Sequence, residues 1–356
     1  MHKLQKVPSM DLTALLTTAL ARQASDLHLA AGMPPMLRVH GQIEALDWPV
    51  QSQTDVAALL SQVMTAQQRE VFAQTLELDL AWTHAALGRF RVNAFMQSRG
   101  TAAVFRCIPA AVPALASLGA PAVLAELALR PRGLVLVTGP TGSGKSTTLA
   151  AMVDFYNRTR AGHILTVEDP IEFEHVAHKS IVNQREVGRH THSFSAALRA
   201  ALREDPDVIL VGELRDMDTI RLALTAAETG HLVLGTLHTA SATKAVDRII
   251  DVFAAQDKEM VRSMLSESLE GVVAQTLCRT ADGTGRVAAH EVMLGTPAIR
   301  NLIREGKVAQ MYSTLQTGAS QGMQTLDQSL AELVRRQRIT PAEARRHAKV
   351  PSQFAA

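Results

Sequence analysis

The octapeptide Gly139-Pro140-Thr141-Gly142-Ser143-Gly144-Lys145-Ser146 constrains the fold of this chain more than any other stretch. Its spacing is that of a phosphate-binding P-loop. Its context agrees: the apolar run from Leu134 to Thr138 reads as a buried strand before it, and Thr147 to Phe155 as a helix after it. Glycines let successive backbone N–H groups turn inward around phosphates, and the amino end of the helix adds positive potential. Lys145 then reaches the terminal phosphates and the Ser146 hydroxyl ligates Mg2+, so residues Gly139 through Thr147 form the expected nucleotide cradle.

Three further apolar runs, Ile164 to Val167, Val208 to Val211 and Leu232 to Leu234, alternate with helical or loop segments. Continuous runs of this kind suit strands covered on both faces, which predicts an α/β fold with a largely parallel sheet. In such a sheet the ligand sits at the carboxyl ends of the strands, so the residues just after each run are the candidates. Glu168-Asp169-Pro170-Ile171-Glu172 follows the first run. Gly212-Glu213 follows the second, with glycine where an aspartate for magnesium is usual.

A carboxylate beside Mg2+ is held ionised and is a poor partner for a second task, whereas one farther out can orient water. Glu213 is therefore assigned to the hydrated metal together with Ser146, and Glu172 to the attacking water; the reverse assignment is the alternative. The third run is bracketed by histidines. His238, at its carboxyl end, is a candidate γ-phosphate sensor, and His231, before it, is the weaker nucleotide-binding candidate.

A P-loop suits kinases, GTPases, helicases, transporters and motors alike, and composition narrows the list. Thirty-six Lys plus Arg against thirty-four Asp plus Glu leave a net charge of +2, too balanced for DNA or an anionic membrane as the main partner. Aromatics make up 4%, so stacking platforms for single-stranded nucleic acid are scarce. Cys107 and Cys278 cannot supply a disulfide framework or a four-cysteine zinc site, which predicts a reducing, cytoplasmic setting. No window approaches ~18 uninterrupted apolar residues, so no direct membrane insertion is expected.

At 356 residues the chain suits two domains. Helical spacing of Leu12, Leu15, Leu16, Ala19 and Leu20 gives way to strand alternation at Leu27 and Leu29, then at Met36 to Val39. One helical stretch is expected from Thr54 to about Thr75, with strands at Arg89 to Phe95 and Ala103 to Arg106. Pro109, Pro113 and Pro121 mark a linker region. From Lys258 onward the pattern is mostly helical, with a hairpin around Asp282 to Gly285 and helices at Ala298 to Glu305 and Thr325 to Arg336.

Taken together, GPTGSGKSTT at Gly139 to Thr148, TVEDPIEF at Thr166 to Phe173, LREDPDVILVGELRD at Leu202 to Asp216 and TGHLVLGTLHT at Thr229 to Thr239 resemble the hexameric secretion ATPases. SDLHL at Ser25 to Leu29, GRFRVNAF at Gly88 to Phe95 and AIRNLIREGKVAQMYS at Ala298 to Ser313 narrow the resemblance to the type IV pilus retraction ATPases. It implies a PAS-like α+β domain over residues 10–112, a linker at 113–122, and a RecA-like P-loop ATPase domain with a helical carboxyl-terminal region over 123–356. It also implies a homohexamer with ATP between subunits, where Arg91 and Arg106 look like the family's phosphate-contacting pair; Arg89 and Arg99 are expected on a solvated strand face. Residues 1–9 precede the family pattern as an extension without assigned role.

The same resemblance implies a cytoplasmic ring, peripheral at the inner membrane, acting on a pilus platform protein, with an accessory retraction ATPase paralogue as a further partner. The family also carries glycine-glutamate at the strand end of Gly212-Glu213. Pilus extension and type II secretion ATPases resemble longer chains, often with a cysteine-rich zinc module that two cysteines cannot build. A nucleic-acid motor would show a basic stripe with aromatics. A nucleotide-binding ring without turnover is the third alternative.

Overall fold

A computed structural model describes residues 11–39, 41–108 and 111–354; the expected extension at 1–9 lies outside them. The chain divides into two compact units at Ala110 and Ala111. Among the described residues no helix is long and apolar enough to cross a membrane.

The first unit contains α1 (Leu12–Ala21), β1 (Asp26–Ala30), β2 (Met36–Val39), β3 (Gln42–Ala45), α2 (Gln53–Ser61), α3 (Ala66–Thr75), β4 (Glu77–His84), β5 (Gly88–Gln97) and β6 (Gly100–Ile108). Asp11 caps α1 by accepting from the Thr13 N–H. The strands form one antiparallel sheet in the order β3-β2-β1-β6-β5-β4. Leu12, Leu15 and Leu16 of α1 pack with Leu59 and Leu60 of α2 and with Leu27, Phe90 and Phe105 of the sheet. The single helix expected from Thr54 to Thr75 is two helices. Thr65 opens the second with a capping box to Gln68, a local hydrogen-bond set that stops the first helix from running on.

The second unit contains α4 (Val123–Ala128), β7 (Gly133–Thr138), α5 (Lys145–Thr159), β8 (His163–Glu168), β9 (Ile181–Glu186), α6 (Phe194–Ala201), β10 (Val208–Val211) and α7 (Met217–Glu228). It continues with β11 (Leu232–Leu237), α8 (Ala242–Asp251), α9 (Lys258–Ser268), β12 (Leu269–Arg279), β13 (Arg286–Leu294), α10 (Pro297–Arg304), α11 (Val308–Thr317), α12 (Leu326–Arg335) and α13 (Pro341–His347). Its sheet has the order β13-β12-β7-β11-β10-β8-β9, parallel throughout except for β13.

Alternate residues of the central strands feed two cores. Leu134, Leu136, Leu165, Val167, Ile209 and Val211 pack against helices α6 to α10 on one face. Val135, Val137, Ile164, Val208 and Leu210 pack against α4 and α5 on the other, and Leu115 joins that second core. This is the α/β arrangement that continuous apolar strands require. The stretch after Lys258 departs from the mostly helical expectation, because the hairpin is two long strands, β12 and β13, that extend the main sheet. Helix α10 is amphipathic as its pattern demands: Ile299 and Ile303 are fully buried, while Arg300 and Arg304 pair with Glu270 and Glu267 at 2.8 Å.

Candidate active site

The carboxyl ends of four parallel strands lie level. Thr138 of β7 pairs with Leu237 of β11, and Val211 of β10 pairs with both Gly235 and Val167. The residues that follow therefore open onto one edge of the sheet: Gly139 and the P-loop, His238, Gly212-Glu213, and the acidic loop that begins at Glu168.

Gly139, Gly142 and Gly144 have φ values of 145°, 77° and 87°, backbone that an L side chain rarely adopts. Space forbids a side chain at Gly139, where a Cβ would run into the Gln275 carbonyl oxygen, and a Cβ on Gly144 would stand 2.8 Å from Gln275 Nε2 and displace that amide. Lys145 Nζ donates to the carbonyls of Gly139 at 2.9 Å and Pro140 at 3.1 Å. Burial holds its pKa below the ordinary lysine value, against the opposing pull of Glu213 and Glu172. One ammonium thus feels both carboxylates. Pro140, Thr141 and Ser146 are exposed, Thr147 is half-buried and Ser143 is buried.

Glu213 is held from two sides, by Arg215 Nη2 at 2.7 Å from Oε2 and by His238 Nε2 at 3.3 Å from Oε1. Gly212 before it is explained by space. A Cβ there would meet the Val167 carbonyl oxygen at 3.2 Å and Glu168 Cα at 3.3 Å, while the Gly212 N–H donates to Val167 O at 2.8 Å. The end of β8 crowds the place an aspartate side chain would need.

Glu172 is half-buried and lies beside Glu168, which accepts from Thr166 Oγ1 at 2.7 Å and Gln184 Nε2 at 3.2 Å. Burial drives the Glu168 carboxyl above its usual range, those hydrogen bonds resist, and the charge of Glu172 pushes it further up.

His231 does not join this group. It precedes β11, its Nδ1 is hydrogen-bonded to the Ala226 carbonyl at 3.0 Å, and its own carbonyl accepts from Gly133 N at 3.0 Å. Six strand residues separate it from His238, roughly 20 Å at the rise of an extended chain. His231, the weaker nucleotide-binding candidate, is thus at the far end of β11 from the P-loop of its own chain.

Arg91 and Arg106 lie in the first unit, directly opposite each other on β5 and β6. Like charges in such a pair repel and need partners. Arg91 Nε is 3.5 Å from Asp79 Oδ1, and Arg106 Nε donates to the buried Asp26 Oδ1 at 2.9 Å. Arg99 is exposed as expected, but Arg89 is half-buried, which corrects its reading as a solvated strand residue.

The family model for type II/IV secretion system proteins matches residues 3–346. The chain belongs to this family. It is 59% identical over 345 residues to the type IV pilus retraction ATPase PilT of Pseudomonas aeruginosa, covering 97% of this chain and 100% of that one. It is 56% identical over 338 residues to a twitching motility protein of Neisseria gonorrhoeae, covering 95% and 90%. A crystal structure of the pilus retraction motor PilT with bound ADP superposes with a TM-score of 0.87 at 46% identity, covering 97% of this chain and 99% of that one. The RecA-like α/β class with a separate amino-terminal domain is thereby shown.

The donor set of this secretion-family chain fits a nucleotide with Mg2+: a cation on the loop, an exposed hydroxyl at the start of α5, and carboxylates at two neighbouring strand ends. Among the described residues no group of three or more His, Cys, Asp or Glu side chains could hold a metal by itself. Mg2+ keeps its waters and takes one or two protein ligands plus phosphate oxygens, so the Ser146 hydroxyl and the Glu213 carboxylate are the residues that would hold it. Sequence reasoning missed Arg215 and Gln275. Arg215 stood in plain view two residues after Glu213, whereas Gln275 sits inside an apolar strand run that offers no cue to chemistry.

Proposed function

We propose that the chain hydrolyses ATP and uses the energy to retract type IV pili. The observation that carries this reading is the coupling of Lys145 to both Glu213 and Glu172 at a full P-loop, in a chain whose family relatives include a retraction motor.

Residues Gly139 to Thr147 cradle the phosphates, and Lys145 leaves the loop carbonyls to offset charge on the terminal phosphoryl group. Bound Mg2+, held by Ser146 and Glu213, would neutralise charge on the β- and γ-phosphates. Glu172 orients the attacking water and takes its proton. His238, bonded to Glu213, reports the presence of the γ-phosphate to the end of β11.

The working form is a homohexamer in which Arg91 and Arg106 complete the site of a neighbouring subunit, as guanidinium groups do for phosphoryl transfer. Turnover rotates each amino-terminal domain against the adjacent ATPase domain and passes around the ring. The ring stays in the cytoplasm, bears on an inner-membrane platform protein, works beside an accessory paralogue, and uses α10 in retraction.

Phosphate release by the purified chain tests the enzymatic part. Release that is abolished in Lys145→Ala is expected. A wild-type chain that binds ATP without turnover would replace the motor by a regulatory ring component.

A further inference from the structure

We propose that Gln275 is a positioning residue for the phosphate-binding loop, an inference that rests on the nucleotide-binding reading of that loop. Gln275 lies on β12, the neighbour of β7 on the side away from β11. It is 4% exposed, opposite the buried His290 of β13. A buried amide is costly unless both its ends are bonded, and here both are. Nε2 donates to the Ser143 carbonyl at 2.6 Å, and Oε1 accepts from Thr148 Oγ1 at 2.7 Å. Its backbone carbonyl meanwhile abuts Gly139, where a Cβ would stand 2.3 Å away.

One residue therefore touches the loop at its start, at its crown and at the first full turn of α5. The bond to Ser143 has a directional consequence. In a planar trans peptide the N–H of Gly144 points opposite to the C=O of Ser143. Fixing that carbonyl on Gln275 fixes the direction of the next N–H, and inward-turned N–H groups are what a P-loop offers to phosphates. Gln275 thus presets the loop for phosphate without contacting nucleotide. The loss of such a residue should weaken ground state and transition state alike, appearing in KM and in product affinity more than in kcat.

The test uses the full chain, titrated with Mg-ADP and assayed for ATP turnover. Gln275→Met removes both amide bonds at similar length. Gln275→Glu keeps the shape and the Thr148 bond, but its carboxylate cannot donate to Ser143 O. Each is expected to weaken Mg-ADP binding about tenfold or more and to raise the KM for ATP in step, with kcat changed less than about threefold. Thr148→Val, which frees one end of the amide, should cost about threefold in the same two quantities. Should Gln275→Met fail to fold, Gln275→Glu and Thr148→Val decide. Variants that fold and bind Mg-ADP within about twofold of wild type, or that lose kcat with KM unchanged, would overturn the proposal. Lys145→Ala runs beside them: if it binds nucleotide as well as wild type, the reading of the loop itself fails, not only the role of Gln275.

Discussion

His238 Nε2 stands 3.3 Å from Glu213 Oε1, joining the ends of two adjacent strands, while Arg215 holds the other oxygen of the same carboxylate at 2.7 Å. Glu213 is thereby fixed in direction, as its proposed metal role asks, whereas among the described residues no such ion pair is found on Glu172. The two glutamates should therefore respond differently to loss of charge. Glu172→Gln should lower phosphate release by about 10²- to 10⁴-fold with Mg-ADP affinity retained. Glu213→Gln should instead raise the Mg2+ concentration needed for half-maximal turnover. Magnesium titrations of both variants check this, and the opposite pattern would exchange the two roles.

A side chain at Gly212 would crowd the backbone of Val167 and Glu168. Gly212→Ala should destabilise the second unit by about 1–3 kcal/mol, the usual cost of overpacking. Thermal unfolding would then shift down by roughly 2–4 °C per kcal/mol for a unit of this size. An unchanged melting temperature would mean that the strand end yields freely.

In the first unit, Asp26 is buried, accepts from Arg106 at 2.9 Å and from Ser25 Oγ at 2.8 Å. Asp26→Ala should cost about 2 kcal/mol of stability, the scale of a lost charged hydrogen bond, and should free Arg106. Arg91→Ala, by contrast, should fold normally and bind nucleotide, but lower turnover of the assembled ring by about 10³-fold or more. Turnover measured across a range of protein concentrations separates the two effects. Unchanged assembly-dependent turnover in Arg91→Ala would remove that arginine from the site.

Acid sensitivity follows from two histidines. Burial alone pushes His290 down to about 4, and burial pushes His175 down to about 4 against the pull of Asp154. An unfolded histidine titrates near 6.5, so between the two values the unfolded chain binds more protons than the folded one. The stabilisation is complete above pH ~6.5 and is lost as pH falls toward 4, on the order of 3 kcal/mol for His290. Denaturant unfolding across that window should show the slope. His290→Leu should flatten it without removing it, because His175 still titrates.

The site was legible where chemistry coincides with a strand end. The P-loop, Glu213 and His238 are candidates because each stands at or within four residues of the end of an apolar run, so period and position sufficed to nominate them. Legibility failed where a residue acts through the backbone or through distant packing. Gln275 looks inert within its strand because its partners, Ser143 and Thr148, lie more than a hundred positions away. Strand β12 begins immediately after α9 with no turn residue between Ser268 and Leu269, so a helical pattern seemed to run on. His231 and His238 flank the same strand at opposite ends, a distinction that a motif spanning the strand conceals. The break at Thr65 was readable, since Thr65 and Gln68 have the spacing of a capping box.

Retraction itself is tested most directly by deleting the gene in a piliated host, then restoring it as wild type or as Glu172→Gln, with surface pili and twitching scored together. Cells lacking the gene should carry surplus pili and fail to twitch; wild type should restore movement, and Glu172→Gln should leave the surplus in place. Bald cells after deletion would contradict retraction and point to pilus extension.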